Sequence, residues 1–440
     1  MECDTPSQKI NGEPSNGLET EVSINSSCDD ASRLKTNGSP GLKEETNSPP
    51  LQHLQMSYDF TNVQKLVEAS EFSAESCVNN ILRGCKWAPD GTCVLTNSSD
   101  NALRLFNLPS ELYQTNDSDQ NLPPLESVLK TQEGGLIYDF CWYPLMSSWE
   151  PSTCCFLSTS AKSPVHLWDA YSSKLRATYR IYDNADEVIS ATSLNFSPSG
   201  DQIYCGLKNL LTVFDTAIPG REYSSLRMKE MKGIISCIAF SPVSHQIMAA
   251  GTYTKSVGLF SLDDDSLMCT LNGHRGGLTH LIFSPDGSKL YSGARKDDEI
   301  LCWDLRNPGS VLFSLIRTVD TNQRIYFDLT PDGKYLISGG TDGFVKVWDT
   351  TQPMTETDGE KSVSPFCQFE AHRDCTNGVS LNNHRGILAT ASGQHHIDAN
   401  SHHLVEDSES DDDCGYLKIK QEPENSLKLW RVGSFRNLSL

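Results

Sequence analysis

Short apolar segments alternate with polar turns along most of the chain. Seven of these segments end in an aromatic residue, which is usually followed by Asp or another polar residue. Runs of this length, rich in Val, Ile, Leu and Phe and bounded by turn residues, are typical of β-strands. The seven segments are Leu103–Asn107, His166–Asp169, Leu211–Asp215, Val257–Ser261, Leu301–Asp304, Val345–Asp349 and Leu427–Arg431.

The segments recur at a nearly constant spacing. Consecutive aromatic residues are separated by 62, 46, 46, 43, 45 and 82 residues, and four of these six values lie near the period of about 40–45 residues that propeller blades show. A tight turn precedes each aromatic residue, and six of these turns contain proline, as in Ala88–Gly91 and Ser284–Gly287. Proline presets the first turn position and glycine accepts a positive φ. The pattern indicates one four-stranded unit per repeat.

The repeat predicts an all-β fold, a seven-bladed WD-repeat β-propeller over residues 57–440. Blades stacked around an axis bury each other's faces, which a single blade cannot do. Few residues follow Trp430, so we expect Tyr58–Glu68 to supply the outer strand of the last blade and to close the ring.

Two segments interrupt this pattern. Residues 1–56 are predicted to be a disordered acidic N-terminal region, and residues 394–424 an acidic disordered insert in the last blade that accounts for the spacing of 82. Both are polar and cannot bury enough apolar surface to fold alone. They carry most of the net charge of −21, so the acidity of the chain does not exclude a polyanionic partner for the propeller.

The composition narrows the class of protein further. The longest strongly apolar stretch, Ile234–Phe240, is too short to span a bilayer, and no secretory signal opens the chain. The fifteen cysteines are scattered without metal-ligand spacing, which is typical of a reducing intracellular compartment. We therefore expect a protein without a membrane segment, a metal or another cofactor.

Basic residues concentrate in the loops of one face of the predicted propeller. These are the loops between the second and third strands of each blade and those between blades. The residues are Lys162, Lys208, Lys229, Lys232, Lys255, Arg275, Arg295, Lys296, Arg324 and Arg373. The opposite face receives Asp263–Asp265 and the aspartates of the proline turns. A cationic rim suits a phosphate backbone, although polar loops on any propeller place some basic residues there.

From this placement we predict Arg295, Lys296, Arg324 and Lys255 as phosphate or base contacts of an RNA or of another polyanion, with Lys208 and Arg275 as further candidates. Tyr326 is the predicted stacking partner for a base.

One set of residues is predicted to be structural. His274 lies 29 residues before Trp303, with Ser292 and Asp297 between them, and this spacing matches the hydrogen-bond network of many WD blades. Ala371–His372 is a weaker relative of the same pattern in the last blade. A catalytic histidine is the alternative interpretation of His274.

Other chemistry has little support. The chain has no phosphate-binding loop, no nucleophile elbow and no zinc-protease helix motif, so we expect no enzyme activity. His395–His396 and His402–His403 lie in the acidic insert, where a solvated loop is favoured over a metal site. Lys420 resembles a SUMO acceptor, and Ser408 and Ser410 resemble acidophilic kinase sites.

Six segments are not generic to WD repeats, and together they resemble the family of telomerase Cajal body proteins. The resemblance runs from about residue 57 to Trp430, and its segments are Arg83–Gly91, Tyr138–Trp142 with Leu145–Ser148, Gly233–Pro242, Ser292–Asp297, Thr321–Leu329 and Asp374–Leu381. It implies an RNA-binding chaperone that binds the CAB box of small Cajal-body RNAs and of telomerase RNA, directs these particles to Cajal bodies and supports telomere maintenance.

The resemblance also implies partners and a location. The partners are H/ACA proteins such as dyskerin and the telomerase reverse transcriptase complex, with coilin and SMN as further candidates. The location is the nucleus and its Cajal bodies, with the cytoplasm as an additional site. The competing interpretation of the residues alone is a protein-only WD-repeat scaffold, such as a substrate adaptor of a ubiquitin ligase or a component of a chromatin complex.

Overall fold

The structure is a computed structural model that describes residues 54–69, 71–73, 80–113, 122–227, 231–357, 360–395 and 423–437. Within these ranges the fold contains strands and three short 3₁₀ turns, at Glu71–Ser73, Ser110–Tyr113 and Pro151–Thr153, but no α-helix. The strands form seven blades, and each blade contains four antiparallel strands arranged from the axis of the ring outward. The predicted seven-bladed propeller is confirmed.

Blades 1 to 3 share the simplest arrangement, in which four strands follow one another from the axis outward. Blade 1 is Leu82–Trp87, Cys93–Ser98, Ala102–Asn107 and Leu129–Gln132. Blade 2 is Ile137–Trp142, Cys155–Ser160, Val165–Asp169 and Leu175–Tyr179. Blade 3 is Ser193–Phe196, Gln202–Gly206, Leu210–Asp215 and Ser224–Arg227.

Blades 4 to 6 repeat this order. Blade 4 is Ile235–Phe240, Ile247–Thr252, Ser256–Ser261 and Ser266–Asn272. Blade 5 is Leu278–Phe283, Lys289–Ala294, Glu299–Asp304 and Val311–Ile316. Blade 6 is Phe327–Leu329, Tyr335–Ser338, Phe344–Asp349 and Cys367–Glu370.

Blade 7 is assembled from both ends of the chain. Its inner strands are Thr376–Asn382, Ile387–Ser392 and Leu427–Arg431, and its outer strand is Gln64–Ala69, which pairs antiparallel with Leu427–Arg431. A second pair, Leu54–Tyr58 with Gly433–Asn437, adds to this closure.

The closing strand begins six residues later than we predict from the sequence, at Gln64 instead of Tyr58. Asp59 accepts hydrogen bonds from the backbone and the hydroxyl of Thr61, which turns the chain between the two pairs. Phe60 in this turn is buried and packs on Tyr335 of blade 6. The strand Leu54–Tyr58 also includes three residues of the segment predicted to be disordered.

Two short hairpins decorate the ring. Ile181–Tyr182 pairs with Val188–Ile189 between blades 2 and 3. Thr355–Thr357 pairs with Glu360–Val363, which lies parallel to the outer strand of blade 5 and widens that sheet to six strands. No described helix is long and apolar enough to cross a membrane.

The apolar core lies between neighbouring blades. One cluster joins Leu82, Val94 and Phe106 of blade 1 to Ala389 and Leu429 of blade 7, and equivalent clusters fill the other junctions. The strands pack face to face because apolar residues occupy both faces of the central strands, as in Cys93–Ser98, where all six residues are buried.

Polar side chains on the innermost strands add a hydrogen bond at each of the seven blade junctions. The bonds join Lys86 to Phe140 O, Asp139 to Leu194 N, Asn195 to Ile238 O, Ser236 to Leu278 O, His280 to Phe327 O, Asp328 to Leu381 N and Ser380 to Trp87 N. They satisfy backbone groups around an axial channel that the innermost strands surround.

Candidate nucleic-acid interface

The turns between second and third strands lie on the same rim as the connections between blades. Backbone hydrogen bonds join the two kinds of loop directly, for example Asn209 N to Gly233 O and Lys296 N to Thr321 O. We call this surface the top rim. It contains every described residue of the predicted basic set, whereas Lys229 lies outside the described residues.

An unusual backbone conformation places lysines at the tips of these turns. Lys162, Lys255 and Lys296 have φ values of 60°, 72° and 45°, and Asn101 and Asn209 have the same left-handed conformation in blades 1 and 3. Residues other than glycine adopt this conformation rarely. Five consecutive blades therefore end their top turn in the same way, and three of them present a lysine there.

Most of the predicted cations are exposed and carry no ion-pair partner among the described residues. This group consists of Lys162, Lys208, Lys232, Lys255 and Lys296. Arg275 lies 4.0 Å from a carboxylate oxygen of Glu299, and Arg373 donates its backbone N–H to Glu424.

The top rim also contains acids, which the sequence-based separation of charge by face does not anticipate. Asp298 accepts hydrogen bonds from the backbone of Val319, and Asp342 accepts one from Thr318 and lies 3.6 Å from Lys346. These carboxylates bind neighbouring loop groups and hold the rim in shape. The rim is thus mixed in charge, with its unpaired cations on turn tips.

A cavity of about 380 Å³ opens at the centre of the top rim, at the mouth of the axial channel. Arg83 and Arg295 line it together with Tyr138, Tyr253 and Asn97. The guanidinium of Arg295 lies 3.6 Å from the ring centre of Tyr253, a cation–π geometry. Arg83 lies 3.2 Å from the imidazole of His395, and burial lowers the pKa of this guanidinium.

Arg324 forms the floor of this cavity. Its guanidinium donates to Asp139 of blade 2 at 3.0 Å, to the carbonyl oxygen of Ser236 of blade 4 at 2.8 Å and to the Tyr326 hydroxyl at 3.1 Å. Arg324 and Tyr326 also line a second cavity of about 340 Å³ on the other side. Arg324 and its three partners, Asp139, the Ser236 carbonyl and Tyr326, therefore divide the channel. We call these residues the cross-channel brace.

The brace changes the interpretation of two predicted RNA contacts. Arg324 is predicted as a phosphate contact, but its two terminal nitrogens already donate hydrogen bonds to three protein groups. Tyr326 is predicted as a stacking platform, but its side chain is 5% exposed and packs against the His280 ring at 5.0 Å. Both side chains point into the channel because the loop that holds them leads straight into Phe327–Leu329, the innermost strand of blade 6.

Electrostatics fixes the charge state of the groups in the brace. Burial alone would raise the pKa of Asp139, but the charges of Arg324 and Lys86 outweigh it and hold that pKa below its usual range. Burial, with the same two cations, lowers the pKa of His280 to about 3. Asp139 is therefore ionised and His280 neutral at physiological pH.

The predicted network in blade 5 forms one hydrogen-bonded chain. His274 Nδ1 lies 2.8 Å from Asp297, His274 Nε2 lies 2.7 Å from the Ser292 hydroxyl, and Trp303 Nε1 donates to that hydroxyl at 2.8 Å. His274 is buried and does not line the cavity at the centre of the top rim.

Blade 7 contains a related network with different residues. His372 lies 2.8 Å from Glu424 and 2.8 Å from Thr390, to which Trp430 donates. Glu424 ends the predicted insert, and its bonds to His372 and to the backbone of Arg373 fix that end of the insert on the top rim. Lys420, Ser408, Ser410 and the histidines 396, 402 and 403 lie outside the described residues.

Sequence reasoning misses four residues of this site, Arg83, Lys86, Asp139 and His280. We sorted charged residues by loop, whereas these four lie on the innermost strands. A charged residue within an apolar inner strand is the signal that marks them, since alternate positions of such a strand face the channel.

Comparisons with known proteins agree with this architecture. The WD domain, G-beta repeat family matches residues 265–304 and 314–349. Telomerase Cajal body protein 1 of Mesocricetus auratus is 45% identical over 400 residues, which cover 89% of this chain and 73% of that protein. The Homo sapiens protein of that name is 47% identical over 365 residues, 82% of this chain and 64% of its own length. The Drosophila melanogaster homolog is 39% identical over 399 residues, 88% and 70% of the two chains.

Proposed function

The chain belongs to the family of telomerase Cajal body proteins, and we propose that it is an RNA-binding scaffold that holds its RNA on the top rim. The RNA is the CAB box of small Cajal-body RNAs and of telomerase RNA. The observation that carries this proposal is the set of exposed lysines without ion-pair partners in the described structure, arranged around a cavity lined by two further arginines. Phosphate groups supply the missing negative charge.

The proposal extends to delivery and partners. The scaffold directs the bound particles to Cajal bodies in the nucleus and so supports telomere maintenance, with the cytoplasm as an additional location. H/ACA proteins such as dyskerin, the telomerase reverse transcriptase complex, coilin and SMN are the proposed partners. The names of the relatives support an association with telomerase and Cajal bodies, and the ring offers two rims on which several partners can bind.

Charge reversal on the top rim tests RNA binding. The variant carries Lys208→Glu, Lys255→Glu and Lys296→Glu. We expect its affinity for a CAB-box hairpin RNA to fall at least about tenfold at moderate salt, because three lysines no longer neutralise phosphate groups. The slope of log affinity against log salt should become shallower by about 0.7 for each phosphate that is no longer neutralised. Fluorescence anisotropy measures both.

A matched control variant has the same net charge as the first variant, but its three substitutions lie on the opposite rim. Lys174→Glu, Arg306→Glu and Lys334→Glu reverse three charges in loops of the opposite rim, and we expect affinity within about twofold of the parent. Equal decreases in the two variants would reject the top rim as the binding surface.

A protein-only scaffold is the second candidate, favoured by one surface on the opposite rim. A groove of about 440 Å³ there is lined by Tyr113, Val128, Met146 and Tyr171. Trp149, in the same loop as Met146, is 94% exposed. Exposed apolar side chains of this size are typical of protein contacts. The absence of RNA binding at low salt would favour this candidate.

A further inference from the structure

We propose that the cavity at the mouth of the channel takes one unstacked nucleotide of a single-stranded RNA segment, an inference that rests on the RNA-binding function proposed above. The cavity measures about 380 Å³, within the range of small-ligand sites. A base in a duplex is held by its partner strand and cannot enter it. The feature recognised is therefore an unpaired nucleotide.

The charge of the cavity calls for an anion. Arg83 and Arg295 are partly buried in its wall, and neither has a carboxylate at ion-pair distance among the described residues. Their Nε atoms are buried without a hydrogen-bond partner. A buried nitrogen without a hydrogen-bond partner is costly, and a phosphate bound by either guanidinium group offsets that cost with charge-assisted hydrogen bonds.

The cavity also offers surfaces for a flat ring. Tyr138 lines it with 41% of its side chain exposed, and the guanidinium of Arg295 lies over the ring of Tyr253. Unstacked bases in RNA complexes lie against aromatic rings and arginine planes in this way. Replacing one such side chain by alanine typically lowers affinity about fivefold to a hundredfold.

An acceptor in the wall favours particular bases. Asn97 is 4% exposed, lines the cavity and has a side-chain oxygen without a hydrogen-bond partner. An exocyclic amino group satisfies this oxygen, and adenine, cytosine and guanine carry one whereas uracil does not. Arg324, fixed to Asp139, closes the floor. This floor limits how far a ligand can enter the channel from the top rim.

Abasic scanning of an RNA loop tests the inference on the full-length protein. The probe is a hairpin RNA of about 20 nucleotides with a single-stranded loop, in which each loop base in turn is removed. We expect one position at which removal of the base weakens binding about tenfold, which corresponds to a single stacking contact. Replacing that base by uracil should recover only part of the affinity.

Variants locate the sensitive base. In Tyr138→Ala and in Arg295→Gln, removal of the same base should cost less than about twofold, because the side chain that holds the base is already absent. Lys255→Gln, a turn-tip change outside the cavity, should weaken intact and abasic RNA equally. Tyr138 is exposed, so its substitution leaves the fold intact, and the melting temperature verifies this.

The outcomes separate the two proposals. If no RNA binds with a steep salt dependence, the proposed function itself fails. If RNA binds with that dependence but no loop position is sensitive to removal of its base, or if the sensitivity persists in both cavity variants, only the nucleotide site is overturned. Free nucleoside monophosphates that raise the melting temperature, without any sensitive loop position, would assign the cavity to a soluble nucleotide and reject RNA as its occupant.

Discussion

Arg324 bonds to groups on three different blades. It connects Asp139 of blade 2 and the Ser236 carbonyl of blade 4 to Tyr326 at the entry of blade 6. A pair buried in this way contributes little beyond an apolar substitute, but removing one partner leaves an unpaired charge. The residue therefore stabilises the ring, although the sequence predicts it as an RNA contact.

We expect Arg324→Gln to lower the free energy of unfolding by about 3 kcal/mol, because Asp139 then has only Lys86 as a cationic partner. Urea denaturation measures this. Lys208→Gln, a change at an exposed residue of the top rim, is the control and should alter stability by less than about 0.5 kcal/mol.

A double variant checks the mechanism. Asp139→Asn removes the buried charge, so adding it to Arg324→Gln should cost less than the sum of the two single changes. Strict additivity would contradict a brace made by this ion pair.

Asp139 and Asp328 make the same backbone contacts but have opposite pKa shifts. Each accepts one hydrogen bond from the residue that follows it and one from the next blade. Two cations lower the pKa of Asp139. Burial raises the pKa of Asp328 to about 6, and no basic side chain of the described structure forms an ion pair with it. The two aspartates therefore differ in pKa because cations lie beside Asp139, whereas none forms an ion pair with Asp328 in the described structure.

The raised pKa gives a pH dependence with a defined sign. The unfolded aspartate titrates near pH 4, so the folded state binds the extra proton between about pH 4 and pH 6 and gains stability as the pH falls. We expect the parent protein to gain about 1–2 kcal/mol over Asp328→Asn between pH 7 and pH 5. Urea denaturation at the two pH values measures it, and an equal pH dependence in both proteins would refute this titration.

For single residues, the sequence predicts where a side chain lies in the fold better than it predicts what that side chain contacts. Lys255 and Lys296 lie on exposed turn tips as expected, because a turn is visible in the sequence as a break between two strands. The inward direction of Tyr326 is not visible, since it depends on how closely Gly84 of blade 1 approaches the ring: a Cβ at Gly84 would lie 2.6 Å from it.

At the scale of an element, blade 5 depends on one hydroxyl. Ser292 bonds to both His274 and Trp303. We expect Ser292→Ala to lower the free energy of unfolding by about 2–3 kcal/mol, because two buried nitrogen atoms are left without their partner. Ser288→Ala, in the exposed turn of the same blade, is the control. Thermal melting measures both, and equal effects would contradict the role of the network.

The blades differ in how far their networks follow the expected pattern. In blade 2, Glu133 accepts hydrogen bonds from His166 and Trp168 and from the hydroxyl groups of Ser158 and Ser160. The sequence predicts the blade 5 network by spacing, but it misses this one, because an acid stands where the pattern expects histidine. Glu133 and its partners become neighbours because their strands pack side by side, and no fixed spacing in the sequence identifies them.

For the whole molecule, ring closure is the decisive contact. Blade number follows from counting aromatic-ended segments, and a strand-like segment ahead of blade 1, Tyr58–Glu68, indicates the partner that closes the ring. The bounds of the closing strand do not follow, because the turn at Asp59–Thr61 depends on packing of Phe60 against blade 6. The division of the channel cannot be predicted from the sequence either, because the hydrogen bond that forms it joins Arg324 to Asp139, 185 positions away.

Deletion of residues 57–70 should lower the melting temperature by about 10 °C or more, because blade 7 then lacks its outer strand and exposes an apolar edge. Removal of residues 1–50 is the control and should leave the melt unchanged. Differential scanning calorimetry measures both. An unchanged melt after deletion of residues 57–70 would contradict closure by Gln64–Ala69.

The double pairing of the chain ends imposes an order on biosynthesis. Gln64–Ala69 is translated before every other strand of the seven blades, and its partner Leu427–Arg431 is translated after all of them. Until then the nascent chain exposes the unpaired strand Gln64–Ala69 and the open face of blade 1, a state prone to aggregation. Ribosome-bound chains stalled before Leu427 should be cut rapidly by protease, and release of the complete chain should end that sensitivity.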